Sequence, residues 1–254
     1  MTQPEPAGLN RTGIQMSPQD SRAMQNFGGG GPDAFFDDSG IADLRSDYIV
    51  NAEQLGSVPL PVGPKGAIKP GLSMLRGDSP HVLIDKLGER LAFERIATRL
   101  YDALITKCEA MLDGSISMSI VDLQEIRDDE ARHFLTVAQA IESLGGDATA
   151  QTPSADLVGV ESMGLVQVLN DPRTTIAQSL HAILTAELAD QAGWEALIAL
   201  AEEHEQYDMI GDFSMALDEE RGHLLMVQSW YEEAIGIPSA WDFEDDEYFD
   251  EPLP

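Results

Sequence analysis

Between His81 and Gly236 apolar residues recur every three or four positions, the spacing of helices that bury one face. The first stripe begins near Pro80, ends at Asp113-Gly114 and carries Leu87, Leu91, Glu94, Thr98, Tyr101, Ile105, Cys108 and Leu112. A second runs from near Ser119 to Gly145-Gly146 through Leu123, Ile126, Glu130, His133, Phe134, Val137, Ile141 and Leu144. The third is predicted to start with Asp171 as N-cap and Pro172 at the first helical position, and includes Ile176, Leu180, Ile183, Glu187, Trp194 and Ile198. The fourth passes through Phe213, Leu217, Glu220, His223, Leu224, Val227 and Tyr231 before Gly236 and Pro238 stop it. Residues 146–171 are too many for a turn but enough to run the length of a bundle, and Leu157 to Asn170 can form one short helix there. The pattern predicts an all-α fold: a four-helix bundle with a long crossover between its second and third helices.

Each stripe holds a glutamate where a leucine belongs. A lone carboxylate in an apolar core costs several kcal/mol or takes up a proton, so four of them require one common cause. Two are followed three residues later by a histidine, in Glu130-Ala131-Arg132-His133 and Glu220-Arg221-Gly222-His223, which puts both side chains on one helix face. With 21 glutamates and 5 histidines, about 0.4 such pairs arise by chance, so the doubling carries information.

Register adds to this. Equal heights for Glu94 and Glu130 require a turn near residue 112, where Asp113-Gly114 stands, and for Glu187 and Glu220 one near 203–204, inside Glu202-Glu203-His204-Glu205. Glu130 also precedes Gly145 by 15 residues and Glu187 follows Pro172 by 15, about 22 Å in each helix. All four carboxylates are expected at mid-height. Four negative charges match two divalent cations, with Glu94 and Glu187 terminal, Glu130 and Glu220 bridging, and His133 and His223 binding one ion each. Carboxylate and imidazole donors suit iron or manganese. Without metal, the coupled titration of the four glutamates is expected to be displaced upward.

Composition sharpens the partner classes. Lys and Arg total 15 against 45 Asp and Glu, a formal charge of −30, which argues against nucleic acid or an anionic membrane and for cations. The single Cys108 excludes an intrachain disulfide, and no C-x-x-C is present. No stretch approaches 18 apolar residues and the start lacks a signal-like h-region, so a cytoplasmic location is expected. Residues 1–80 hold 12 of the 22 glycines and 9 of the 14 prolines. That composition predicts an irregular segment, disordered near its start, that wraps the bundle or reaches another subunit. Its Phe27-Gly28-Gly29-Gly30-Gly31-Pro32 run lacks the Lys and Ser/Thr of a phosphate loop and reads as a turn. Residues 237–254 form an acidic tail, with seven acidic and no basic residues from Trp241 onward. The expected organisation is therefore 1–80, 81–236 and 237–254.

On Glu94, Glu130, His133, Glu187, Glu220 and His223, residues 81–236 resemble the ferritin-like superfamily, including its bacterioferritin, rubrerythrin and manganese catalase branches. The resemblance implies a resident pair of iron ions, or alternatively of manganese ions. It also implies oxidoreductase chemistry with dioxygen, peroxide or ferrous iron, with non-catalytic metal handling or a structural metal as the alternatives. Tyr101, two turns beyond Glu94, falls where the bacterioferritin branch often has a metal-proximal tyrosine, and is the candidate catalytic residue. Ala131 stands where a haem methionine would be, and rubrerythrin's rubredoxin cysteines are missing. A homo-oligomer, a dimer in the first instance, is expected. Asp190, Trp194 and Asp218 are candidates to support the ligands, Glu219 is a competing neighbour of Glu220, and His81, His181 and His204 are expected away from the centre.

Overall fold

The computed structural model describes residues 39–53, 55–59 and 80–237, with positions 19 and 22. The chain divides into two units, and the one that ends at Leu55 contributes helix α1, Ser39–Asn51. This helix lies within the segment read as irregular, in a stretch free of proline from Asp33 to Val58, and includes the Tyr48-Ile49-Val50 patch. The remaining leader positions and the acidic tail after Ile237 lie outside the described residues.

In the other unit the predicted bundle is present. Its helices are α2 (Pro80–Met111), α3 (Ile120–Ser143), α6 (Ile176–Glu203) and α7 (Tyr207–Ile235), with crossover helices α4 (Pro153–Glu161) and α5 (Met163–Asn170). Helices α2 and α3 form one hairpin and α6 and α7 the other; α2 packs on α6 and α3 on α7. Ser119 caps α3 through a capping box with Asp122, and Gly236 closes α7 in the left-handed conformation at φ 78°.

Two local readings need correction. Helix α6 starts four residues later than the Asp171-Pro172 signal suggested, because Thr175 and Gln178 form a reciprocal capping box. Asp171 instead ends α5 and accepts hydrogen bonds from Arg173. The crossover also contains two short helices rather than one, separated at Ser162.

Helix α2 holds the crossover at both ends. Near the start of α4, the Asp85 carboxylate accepts from the Ser154 backbone N–H (3.0 Å) and hydroxyl (2.6 Å), a favourable place for negative charge. Beyond α5, the buried Lys107 ammonium donates to the carbonyls of Val168 and Asp171 and to the hydroxyls of Thr174 and Ser179. Gly88 allows the contact with α4: a Cβ there would sit 2.5 Å from the Thr152 hydroxyl.

The core has two apolar halves. One contains Leu100, Leu104, Leu123, Ile126, Leu180, Ile183, Val227 and Trp230; the other contains Leu83, Leu87, Val137, Ile141, Trp194, Leu197, Phe213 and Leu217. Along each bundle helix the chain passes from one half to the other, and the displaced glutamates fall at the passage. The result is a polar layer sealed between two dry plugs. No helix among the described residues is long and apolar enough to cross a membrane.

Candidate metal centre

Six side chains converge on this layer. Helix α2 supplies Glu94, α3 supplies Glu130 and His133, α6 supplies Glu187, and α7 supplies Glu220 and His223; none is more than 3 % exposed. Ligand atoms of Glu94, Glu130, His133 and Glu220 lie within 4.8 Å of one another, as do those of Glu130, Glu187, Glu220 and His223. The groups overlap in Glu130 and Glu220. Each has one glutamate and one histidine of its own.

The donor atoms suit a cation better than they suit one another. Both oxygens of Glu94, Glu130 and Glu220, Oε2 of Glu187 and Nδ1 of both histidines are buried without a hydrogen bond. His133 Nδ1 approaches Glu220 Oε1 to 2.7 Å, but the directionality of a hydrogen bond is missing. So many unpaired buried acceptors are costly unless a positive charge shares them.

The outer ring atoms tell the same story from the other side. His133 Nε2 lies 2.8 Å from Glu219 Oε2, and His223 Nε2 lies 3.1 Å from Asp129 Oδ2. Each carboxylate precedes the bridging glutamate of the opposite motif, so α3 and α7 brace each other's histidine. A proton held on Nε2 leaves the inward Nδ1 with its lone pair available to a metal. Sequence reading missed Asp129 and dismissed Glu219 as a competitor, because a partner across two helices leaves no mark in the spacing of one. Replacing Asp129 with Asn and Glu219 with Gln together is expected to weaken metal binding about 10- to 100-fold, measured by competition with a chelator. Unchanged affinity would show that the braces do not orient the rings.

Tyr101 donates a hydrogen bond to Glu187 Oε1 from a fully buried position. Trp194 packs edge-on against His133 with ring centroids 5.6 Å apart. Asp218 is exposed and paired with Arg221, so it does not support the centre. The other histidines lie elsewhere: His81 is exposed at the start of α2, His181 stacks on Tyr231, and His204 caps the end of α6.

Sequence reading missed Arg90, although its place four residues before Glu94 on a helix marks a possible pair. Its guanidinium is 4 % exposed, with Nε 2.8 Å from Glu94 Oε1 and Nη1 2.9 Å from Asp190 Oδ1. Nη1 also donates to the Asp190 carbonyl, and Phe93 lies under the group, 4.3 Å to its ring centroid. Gly193 leaves the space, since a Cβ at that position would collide with Nη1. Arg90 and Asp190 form a matched pair beside the four glutamates, so two divalent cations still balance the layer.

In the metal-free protein the four carboxylates do not titrate alike, contrary to a uniform upward displacement. Burial, reinforced by Glu220 and its neighbours, pushes Glu130 well above the usual range and Glu187 up to about 8. Burial also raises Glu94, although Arg90 opposes it. Glu220 goes the other way: burial would raise it, but His133 and His223 outweigh burial and hold it down at about 2. The histidines respond in kind. Burial lowers both, yet Glu220 more than compensates, leaving His133 raised and His223 at about 9. Protons occupy the charge balance that cations would otherwise provide.

Two cavities lie on opposite sides of the bundle, one bordering the layer at His223 and the other separated from it by Arg90. Between α3 and α7 a cavity of about 240 Å³ is lined by Asp122, Glu125, Asp129, Asp218 and Glu219 and by His223. Between α2, α4 and α6 a cavity of about 310 Å³ is lined by Phe93, Val158, Ala192, Ala196 and Leu197, with Arg90 in its wall.

The chain matches no protein-family model, no curated protein and no solved structure. The fold and its centre therefore stand on their own geometry. The four-helix core and the two carboxylate–histidine groups are consistent with a ferritin-like di-metal carboxylate architecture.

Proposed function

We propose that this chain is a di-iron carboxylate oxidoreductase that uses dioxygen or peroxide and accepts ferrous iron as substrate. The overlap of the two ligand groups at Glu130 and Glu220 carries the reading, because shared buried carboxylates match a pair of ions better than two independent sites. Glu94 and Glu187 would be terminal ligands, and His133 and His223 would hold one ion each through Nδ1. When bound, such a pair would supply one-electron redox chemistry.

The chain's own residues do the rest. Glu219 and Asp129 fix the imidazoles, and the apolar plugs on either side restrict water. Tyr101 orients Glu187 by donating to its Oε1, and burial together with Glu187 keeps the phenol un-ionised well above the usual range. Ferrous iron as substrate is favoured by the acidic cavity at His223, which draws cations toward the layer. The apolar cavity behind Arg90 favours a second reading, oxidation of a small organic substrate. Manganese is the alternative resident metal, with catalase activity as its signature, and a homodimer in the cytoplasm is the proposed setting.

Protein purified from its native host without added metal is expected to contain close to two iron ions per chain and to oxidise ferrous iron with oxygen or peroxide. Elemental analysis and turnover assays decide it. Two manganese ions with peroxide disproportionation would replace the iron reading, and a metal-free or zinc-only protein would overturn the redox assignment.

A further inference from the structure

The two halves of the centre are chemically unequal, and the difference lies in what grips each terminal carboxylate. In the Glu187/His223 half a neutral phenol, Tyr101, donates to Glu187 Oε1 and leaves Oε2 buried without a partner. In the Glu94/His133 half the grip is cationic: Arg90 Nε sits 2.8 Å from Glu94 Oε1. The other oxygen, Oε2, faces His133 Nδ1 at 3.9 Å. Arg90 cannot easily withdraw, because Asp190 holds Nη1 through both its carboxylate and its carbonyl, and the guanidinium lies beside Phe93 and Trp194.

A carboxylate paired with a guanidinium has given part of its charge to that partner and is a poorer donor to a second cation. The fixed positive charge also repels an ion arriving beside it, and low polarity around the pair strengthens that repulsion. Asp190 offsets some of it, but Arg90 Nε is the group turned toward Glu94. Among the described residues no Lys or Arg is paired with Glu187; its neighbours are Tyr101 and the layer itself, His223 included. The Glu187/His223 half also borders the acidic cavity through His223, whereas Arg90 walls the apolar cavity on the opposite side.

From this geometry, and resting on the di-metal reading above, we infer that the two positions fill in a fixed order: the first ion binds between Glu187 and His223, and Arg90 makes the position between Glu94 and His133 the weaker, second one. Arg90 is in this sense a positioning residue for the terminal ligand. It keeps one ion resident and the other exchangeable, the arrangement suited to a centre whose second ion is delivered as substrate.

The test uses cobalt(II) as the probe on full-length, chelator-stripped protein. Calorimetric titration is expected to resolve two steps whose affinities differ at least about tenfold, a size typical of one neighbouring charge. Crystals grown with one equivalent are expected to show the cobalt anomalous signal beside Glu187 and His223. The Arg90→Gln/Asp190→Asn double variant removes both charges together, so Asp190 is not left as an unpaired carboxylate and Glu94 is released from its guanidinium. Its second step is expected to tighten about tenfold while its first changes little. Arg90→Lys, which retains the charge, is expected to keep the two affinities separated if it folds with a wild-type helical spectrum. A first signal beside Glu94 and His133, or an unchanged affinity ratio in the double variant, would overturn the inference and leave the di-metal reading standing. Failure of wild type to bind cobalt at either position would remove both.

Discussion

Replacing His133 and His223 together with alanine is expected to strip the protein of nearly all bound metal while its far-UV circular dichroism remains that of a helical bundle. Each imidazole is the only nitrogen donor in its half, is at most 3 % exposed, and is aimed inward by a carboxylate across the bundle. Loss of a fixed ligand costs more than loss of its orienting partner, so affinity should fall at least about 100-fold. The fold should survive because the apolar halves above and below the layer contain neither histidine. Glu220, deprived of the two groups that hold it ionised, will take up a proton and limit the cost of a buried, unpaired carboxylate. Metal per chain after gel filtration and the helical signal are the two readouts. Unchanged stoichiometry with an intact spectrum would place the metal elsewhere.

The metal-free wild type is expected to be most stable near pH 5 and to lose several kcal/mol by pH 9, since each unit of raised pKa is worth about 1.4 kcal/mol. Glu187 rises from 4.5 to about 8 on folding. Its stabilising proton uptake is therefore complete below pH 4.5 and disappears as pH climbs through 8. His223 rises from 6.5 to about 9, so its contribution is full below 6.5 and is lost toward 9. The two slopes have the same sign. Glu220 supplies the acid limb: its value falls from 4.5 to about 2, so its contribution is present above 4.5 and is lost as pH drops through 2.

Metal reverses the alkaline limb. Ligation needs deprotonated donors, so the melting difference between metal-bound and metal-free protein should widen from pH 5 to pH 8. Glu187→Gln keeps the shape and removes the charge that forms at high pH, so its metal-free form should lose less stability between pH 7 and pH 9 than wild type. Denaturant unfolding of chelated samples at pH 5, 7 and 9 measures all of this. A stability that is flat or rising across that range would mean that these carboxylates are hydrated rather than crowded in a dry layer.

The bundle was legible because helix periodicity is local. Leu123, Ile126, Val137 and Ile141 reveal the buried face of α3 by spacing alone, and Gly145-Gly146 and Gly236 mark ends that backbone geometry enforces. The start of α6 was less so. Asp171-Pro172 and Thr175 are both valid starts, and the capping box with Gln178 favours the second. Tyr101 shows where such reasoning ends: its place on the stripe made it a candidate, but only the approach of α6 turned its hydroxyl into a donor to Glu187.

The sequence by itself determined the four helices, the mid-height of Glu94, Glu130, Glu187 and Glu220, and the alignment of His133 and His223 with two of them. Rise per residue and turn position convert directly into height, so these facts need no knowledge of packing. Tertiary structure alone decided that Asp129 and Glu219 brace the opposite histidines, that Arg90 reaches Asp190 through the gap left by Gly193, and that Glu220 stays ionised while its neighbours take up protons. Each depends on distances of 2.7–3.1 Å between different helices. Charge interactions in a dry core change steeply over such distances, and separation along the chain does not encode them.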